Sequence, residues 1–472
     1  KRPGVHSSMR RARLHVAELM RFVLNPWRGD LIGGMMEERD FDIIVVGCGC
    51  AGAIAAYVAA KKGKSVLVVE RGEYAGAKNM SGGRIYAHSL KSVFDEYADG
   101  SIAWEDIPFE RKITHERIAV MDADGNLTLD FTSSELGAEG CDSYSVLRGE
   151  FDQWLMGLCE EAGCEIIAGI AVEELLKDES GSVIGIRAGE DEITAYVTIV
   201  AEGCNSLLTE RCLGAERPKA NEMAVGIKEV FELSPEAIES RFLCKEGEGA
   251  AMLFVGDCTH GVVGGGFLYT NKESVSMGLV ATIGELSKAD TTICQAMEDF
   301  KNHPAVAPII RGAKVVEHSG HMVSEGGYNM IPRLVHNGAL VAGDAAMLCM
   351  NLGYMVRGMD LAVASGRFAA EAACDAIDGQ DVTESGLASY EVKMKDSFVI
   401  KDLKAFKDWP CTMEHWDRLF TEYPKMVKEI FNAMFVVDGV PARPLRKRIM
   451  PIVKQRGIFK LLKEVKGALM SL

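Results

Sequence analysis

With 472 residues, 48% hydrophobic and 25% charged, the chain is long enough for two or three domains with real cores, and nothing in its composition suggests disorder. A formal net charge of −16 argues against nucleic acid as a partner for the bulk of the surface, because phosphate binding needs an excess of Lys and Arg. No run of about eighteen uncharged apolar residues occurs, so no transmembrane helix is expected and any membrane contact is peripheral.

Residues 1–36 mix Arg with Gly and Pro ahead of Met35-Met36. They read either as read-through upstream of the true start or as an extension without consequence for the fold, with an Arg-rich amphipathic anchor over residues 10–22 as the alternative. The stretch that follows, DIIVVGCGCAGAIAAYVAAKKGKSVLVVERG (residues 42–72), predicts strand, tight turn, helix and strand. Two continuous apolar runs suit strands buried on both faces. Between them Gly47 permits the sharp turn, Gly49 lets the backbone approach a pyrophosphate, and Gly52 lets the helix pack on the sheet. Glu70 stands where an acidic residue accepts a ribose 2′-OH. With both strands, the helix and the acid in place, this is a dinucleotide site.

The loop GAKNMSGGRIYA (residues 76–87) can bring backbone N–H groups to a planar ligand, or it is an ordinary surface loop; Lys78 within it either places a cation near that ligand or faces solvent. Asp124-Gly125 marks a hairpin turn in MDADGNLTLDF, where a second domain begins. YSVLRGEFDQWLMGLCEEAGCEIIAG predicts a strand end, a helix with Phe151, Leu155 and Leu158 on one face, and a strand. A hairpin follows around Glu179-Ser180-Gly181, then a buried strand ending at Glu202-Gly203. Residues 216–314 are β-rich, with three consecutive glycines in VVGGGFLYT that mark a bulge or the close approach of a flat ligand. After the strand GALV comes Gly343-Asp344, whose carboxylate can accept hydrogen bonds from a polyol, and then a long small-residue helix whose N-terminus can stabilise negative charge.

Residues 378–440 predict helices whose aromatics pack a core. From 443 to 466 nine Lys or Arg are opposed only by Glu464, with apolar residues interleaved. This suits an amphipathic helix on anionic lipid or an acidic partner, and equally a solvated terminal helix. The thirteen cysteines are scattered, odd in number and without a CxxC pair, and no secretory signal peptide is in view. They read as reduced thiols of a cytoplasmic protein, not as a disulfide framework, a zinc site or an iron–sulfur site.

Taken together, VGCGCAGAIAA with Glu70, VLRGEFDQWL, AEGCNS, and VAGDAA followed by a glycine loop resemble the glutathione-reductase-type flavoproteins with a single nucleotide site. The likeness implies an α/β fold: a Rossmann-like FAD-binding domain, an inserted α+β substrate or quinone domain, and a helical C-terminal region. The FAD domain is expected in three pieces, 37–87, 144–215 and 324–378, interrupted by 88–143 and 216–323 and followed by helices and a basic amphipathic tail over 379–472. In that branch Gly47, Gly49, Gly52 and Glu70 hold the ADP part of FAD, Arg148 reaches the FAD backbone, and the aspartate of Gly343-Asp344 bonds the ribityl chain. The same likeness adds Ala51, Arg71, Lys78, Ser81, Gly82, Val172, Gly203, Gly353 and Met355 to the cofactor-binding set.

GAKNMSGGRIYA, VVGGGFLYTNKESVSMGLV, HPAVAPIIRGAK through SEGGYNMIPRL, and NLGYMVRGMDLAVASG narrow the resemblance, from about residue 41 onward, to the electron-transfer-flavoprotein:quinone oxidoreductases of the FixC type. This implies electron transfer from an electron-transfer flavoprotein through FAD to a membrane quinone, on the inner face of the cell membrane. Gly264 and Gly265 fall at the quinone pocket with Phe267 and Tyr269 nearby. Two departures stand out. Only Cys411 lies beyond Cys374, so the C-terminal 4Fe–4S centre of the mitochondrial type has no ligands, and a ferredoxin-like iron–sulfur subunit is implied instead. Glu202 replaces a more usual Asp. No general acid or base and no metal ligand is assigned. Without a second GxGxxG, no NAD(P)H site of the disulfide-reductase kind is expected, which weakens a geranylgeranyl-reductase-like enzyme and an aromatic-ring hydroxylase as alternatives; a flavin-binding scaffold subunit is the alternative from another class.

Overall fold

The two apolar runs expected as strands lie side by side: Phe41–Val46 and Val66–Glu70 are parallel, with Ile43 opposite Val66 and Val46 opposite Val69. This is seen in a computed structural model that describes residues 36–79 and 83–472. The anchor weighed for residues 10–22 therefore lies outside the described residues. Asp191–Val200 joins the first strand on its other side, Ala339–Val341 follows it, and Glu165–Ala168 flanks Val66–Glu70, all parallel. Strands this apolar must be covered on both faces. One face carries the helices Cys50–Lys61, Arg148–Glu161 and Met359–Asp378, packed against one another. The other carries the hairpin of Glu174–Lys177 and Val183–Ala188, whose Leu175, Val183 and Ile186 share a core with Ile44, Val46 and Leu67.

A second, mostly antiparallel sheet runs in the order Lys314–Ser324, Met223–Glu232, Ser274–Thr282, Gly264–Thr270, Glu248–Gly256, Lys112–Met121, Ser143–Val146 and Gly83–Tyr86. One face is a core of Met252, Phe254, Leu268, Met277 and Leu279 beneath the helices Pro235–Phe242 and Ile293–Asn302. Phe254 and Phe300 meet edge to face at 4.9 Å. Strand alternation turns Gly265, Phe267 and Tyr269 to the opposite face.

The expected hairpins around Asp124-Gly125 and Ser180-Gly181 are present. Two details differ from the sequence reading. Gly83–Tyr86 and Ser143–Val146 pair with each other in the second sheet, so the boundary expected at 143/144 falls within that pair, and Gly83–Tyr86, expected in the first domain, belongs to the second sheet. On Arg148–Glu161 it is Cys159, not Leu158, that is buried beside Phe151 and Leu155, because its thiol turns to the Ala53 carbonyl of the neighbouring helix at 3.1 Å. Of the aromatics beyond residue 378, Trp409, Phe420 and Tyr423 are buried as expected, whereas Phe435 is 73% exposed.

The helices Cys50–Lys61 and Met359–Asp378 touch backbone to backbone: a Cβ on Gly366 would stand 2.1 Å from the Ala51 carbonyl oxygen. Gly366→Val is therefore expected to destabilise the protein by about 1–3 kcal/mol through forced separation of the helices. A thermal midpoint equal to that of the wild type would show that the pair has room to part.

Candidate functional site

The chain leaves its first strand at Val46 and must turn at once into the helix Cys50–Lys61. Gly47 makes this turn at φ +95°, and a Cβ there would stand 2.4 Å from the Ala201 carbonyl oxygen. A Cβ on Gly52 would stand 1.9 Å from the Gly47 carbonyl oxygen, so the helix starts in contact with the turn it leaves. Gly49 differs from both. The nearest groups to its missing side chain are Arg148 Nη2 at 3.5 Å and Asn79 Nδ2 at 3.8 Å, which leaves a cradle open above the turn. No side chain caps the helix, so its first N–H groups and the positive end of its dipole are available there.

Glu70 ties the ends of the two strands together: Oε2 accepts from the Cys48 N–H at 2.9 Å and Oε1 from the Gly72 N–H at 2.6 Å. Each oxygen keeps a lone pair for a hydroxyl. Arg148 opens the helix Arg148–Glu161, and its Nε and Nη2 donate to the two oxygens of Asp152 at 2.8 Å each. Burial works against the charge of Arg148, but Asp152 beside it overrides that and holds the guanidinium above its usual range. Burial pushes the Asp344 carboxyl above the usual carboxylate range, against the pull of Arg148 and His321. Among the described residues no group donates a hydrogen bond to the Asp344 side chain.

These groups line one cavity of about 470 Å³. Of the residues expected to bind the cofactor, Gly47, Gly49, Ala51, Glu70, Arg71, Lys78, Arg148, Val172, Gly203 and Asp344 are in its wall. Gly52 and Gly343 are not. Gly52 packs the helix on the turn, and Gly343, at φ +65°, lies against Ala51 and donates its N–H to Ser365 Oγ at 2.9 Å. Gly353 and Met355 sit in the small hairpin of Met350–Asn351 and Val356–Arg357, which presents Val356 and Arg357, not its tip, to the cavity. Ser81 and Gly82 lie outside the described residues.

Neither Gly264 nor Gly265 reaches the wall. Their want of side chains has a reason inside the sheet: Cβ atoms there would stand 2.1 Å from the Val280 oxygen and 2.7 Å from the Phe254 oxygen. Tyr269, on the same strand, does line the cavity, with Phe267 stacked on it at 5.6 Å.

Several wall residues escaped the sequence reading. His321 and Cys349 carry no motif of their own and are brought in by tertiary folding, while Asn79, Arg84 and Met359 lie in stretches already singled out but were not assigned to the cofactor as side chains. Arg357 lies over the rings of Tyr86 and Phe398 and is held by Asp360 at 2.5 Å and Asp402 at 2.7 Å. Next to it the helix Met359–Asp378 begins at Gly358 without a side-chain cap. Asp152 could have been found four residues after Arg148, one helical turn away. The Glu202 side chain, longer by a methylene than the usual Asp, caps the helix Leu207–Leu213: its Oε1 accepts from the Leu208 N–H at 2.8 Å and the Thr209 N–H at 2.9 Å.

The wall fits FAD on three counts: an open cradle over Gly49, a carboxylate at Asp344 with no donor of its own, and two uncapped helix N-termini for negative charge. Comparisons with known proteins agree. Residues 409–472 match the ETF-QO/FixC family C-terminal domain, and residues 42–138 match the FAD dependent oxidoreductase family. A protein of Escherichia coli K12 named probable electron transfer flavoprotein-quinone oxidoreductase YdiS is 45% identical over 92% of this chain and 99% of its own length. The protein FixC of Bradyrhizobium diazoefficiens is 38% identical over 86% of this chain and 92% of its own. Among solved structures, a geranylgeranyl bacteriochlorophyll reductase-like protein from Thermoplasma acidophilum superposes with a TM-score of 0.66 at 20% identity, covering 91% of this chain and 99% of that one. The myxobacterial halogenase CndH superposes with a TM-score of 0.60 at 16% identity, covering 84% and 89%. Likeness at that level of identity is one of fold.

Because Gly49 has ordinary backbone angles and a Cβ there would make only ordinary contacts, with Arg148 and Asn79, Gly49→Val should fold and yet exclude the cofactor. The expected preparation is colourless, with the wild-type thermal midpoint of the apoprotein. Flavin content equal to that of the wild type would refute the cradle.

Proposed function

The chain belongs to the ETF-QO/FixC family of FAD-dependent oxidoreductases, and from that premise we propose that it carries electrons from an electron-transfer flavoprotein, with a ferredoxin-like iron–sulfur subunit, to a membrane quinone. The observation that supports this most is the likeness, over 99% of its length, to a relative named as an electron transfer flavoprotein-quinone oxidoreductase. FAD, when bound, supplies the reversible uptake and release of one or two electrons.

The chain's own residues bind, orient and set charge. The cradle over Gly49, the first helix N-terminus and Arg148 take the anionic part of the cofactor. Glu70 and Asp344 accept from its hydroxyls, a task for which Asp344 is free of competing donors. The helix beginning at Met359 directs N–H groups and a positive dipole end at the same cavity, where negative charge that accompanies reduction is stabilised. The quinone is assigned to the side walled by Tyr269, on which Phe267 stacks. Gly264 and Gly265 lie further along that strand and could serve a quinone through backbone only.

The ferredoxin-like subunit is what the likeness to FixC-type proteins implies, and the single cysteine beyond Cys374, too few for a four-thiolate cluster in the C-terminal region, is consistent with it. The exposed C-terminal surface supports the membrane as the place of action. Helices Leu445–Gln455 and Ile458–Ser471 are tied to the helix Asp417–Phe435 through Arg456 with Glu429 and through Arg418 with Glu464. Outside these ties they expose Leu445, Phe459, Leu462, Leu469 and Met470 among lysines and arginines, and the segment before them exposes Phe435, Val436 and Val437. No helix among the described residues is long and apolar enough to cross a membrane. Such a surface suits peripheral binding to anionic lipid.

Two outcomes are expected. Under anaerobic conditions, the protein with its partner flavoprotein and iron–sulfur subunit should convert a soluble ubiquinone analogue to quinol when the flavoprotein is reduced; FAD-replete protein that forms no quinol would sink the assignment. Removal of residues 443–472 should leave flavin content unchanged and abolish flotation with phosphatidylglycerol vesicles, and continued flotation would move the membrane contact elsewhere.

A further inference from the structure

Asp152 is fully buried, at 0% exposure, and is not itself in the cavity wall. Its Oδ1 faces Arg148 Nε at 2.8 Å and Cys50 Sγ at 3.9 Å, and its Oδ2 accepts from Arg148 Nη2 at 2.8 Å and Asn79 Nδ2 at 2.6 Å. The donors come from three separate parts of the chain: the helix Asp152 itself belongs to, the first helix of the dinucleotide turn, and the loop after the second strand. Arg148 Nη2 and Asn79 Nδ2 are also the two groups nearest the open cradle at Gly49. A single hidden carboxylate therefore gathers both side-chain donors that flank the cofactor's anionic end.

Stability alone is a poor reason for such an arrangement, because a buried ion pair does no better than well-packed apolar residues of the same volume. The neighbourhood supplies another reason. Arg148 also feels Asp344, which lines the same cavity and has no donor of its own. A guanidinium without a fixed partner would pair with that carboxylate and occupy the space the cofactor needs. The bidentate grip of Asp152 fixes the guanidinium plane, uses Nε and Nη2, and leaves Nη1 without an acceptor among the described residues.

We propose that Asp152 is a positioning residue for FAD: it holds Arg148 and Asn79 at the edge of the cradle, directed at the anionic part of the cofactor and away from Asp344. The proposal rests on the FAD site and is independent of which molecule accepts the electrons. Asp152→Asn keeps the shape and replaces one acceptor oxygen by an N–H₂ group that repels the arginine. Titration of the full-length apoprotein with FAD, followed by quenching of flavin fluorescence, should show a dissociation constant raised about 10- to 100-fold, the range seen when a supporting residue behind a ligand is removed. Arg148→Met should weaken FAD by itself, and adding Asp152→Asn to it should cost no more than Asn79→Ala does and less than Asp152→Asn costs in the wild type, since only the Asn79 contact then remains to be lost. Asn79→Ala, which removes one donor and leaves the ion pair intact, gives the same readout at a smaller loss should Asp152→Asn fail to fold.

Unchanged FAD affinity in Asp152→Asn, or an equal loss in the wild-type and Arg148→Met backgrounds, would overturn the proposal. So would a fall in the apoprotein's thermal midpoint with FAD affinity preserved, the mark of a merely structural pair. Wild-type apoprotein that takes up no FAD would instead defeat the cofactor assignment itself.

Discussion

The closeness of three backbones around the start of the helix Cys50–Lys61 governs the rest of the structure. The Gly47 turn lies against Ala201, Gly52 against Gly47, and Gly366 against Ala51, each at a separation that no Cβ would permit. Close-packed interiors do not accommodate even a methyl group at such points. The helix N-terminus is thereby pressed into the crevice where the parallel strands end, which is where an open α/β sheet binds its ligand. The alanine-rich character of both helices has the same origin: large side chains would hold apart the elements that must meet.

Charge is organised around that crevice in an unequal way. Two carboxylates with different tasks stand near one arginine. Asp152 is hidden and saturated with donors, whereas Asp344 faces the cavity without any. In a low-dielectric setting such groups act strongly on each other, and the outcome depends on which carboxylate the arginine meets first. The i,i+4 spacing on the helix Arg148–Glu161 decides in favour of Asp152. Arg357 is treated similarly at the other end of the cavity, where Asp360 and Asp402 hold it over two aromatic rings.

The second sheet has two unlike faces. One is a sealed core, and the other turns Tyr269, with Phe267 stacked on it, towards the cofactor cavity. Beyond it the C-terminal helices are pinned to Asp417–Phe435 by ion pairs and keep apolar and basic residues outward together.

Much of this was written locally in the chain. The parallel strands, the glycine turn, Glu70, the two hairpins and the long small-residue helix follow from hydrophobic period, turn residues and spacing, all properties of neighbouring residues. Arg148 and Asp344, which family motifs single out because each belongs to a contiguous stretch, both line the cavity. What the sequence could not reveal depends on residues far apart in it. Asn79, His321 and Cys349 share a wall only because a loop, a strand of the second sheet and the segment after Asp344 meet in space, and Gly264 and Gly265 are needed for strand packing that involves Phe254 and Val280. The strands that flank residues 87 and 143 belong to the second sheet through mutual hydrogen bonds, which no local pattern records. Sequence determined which elements form and which cofactor they suit; tertiary structure decided which side chains meet it, since contact is fixed by distance in space and not by distance along the chain.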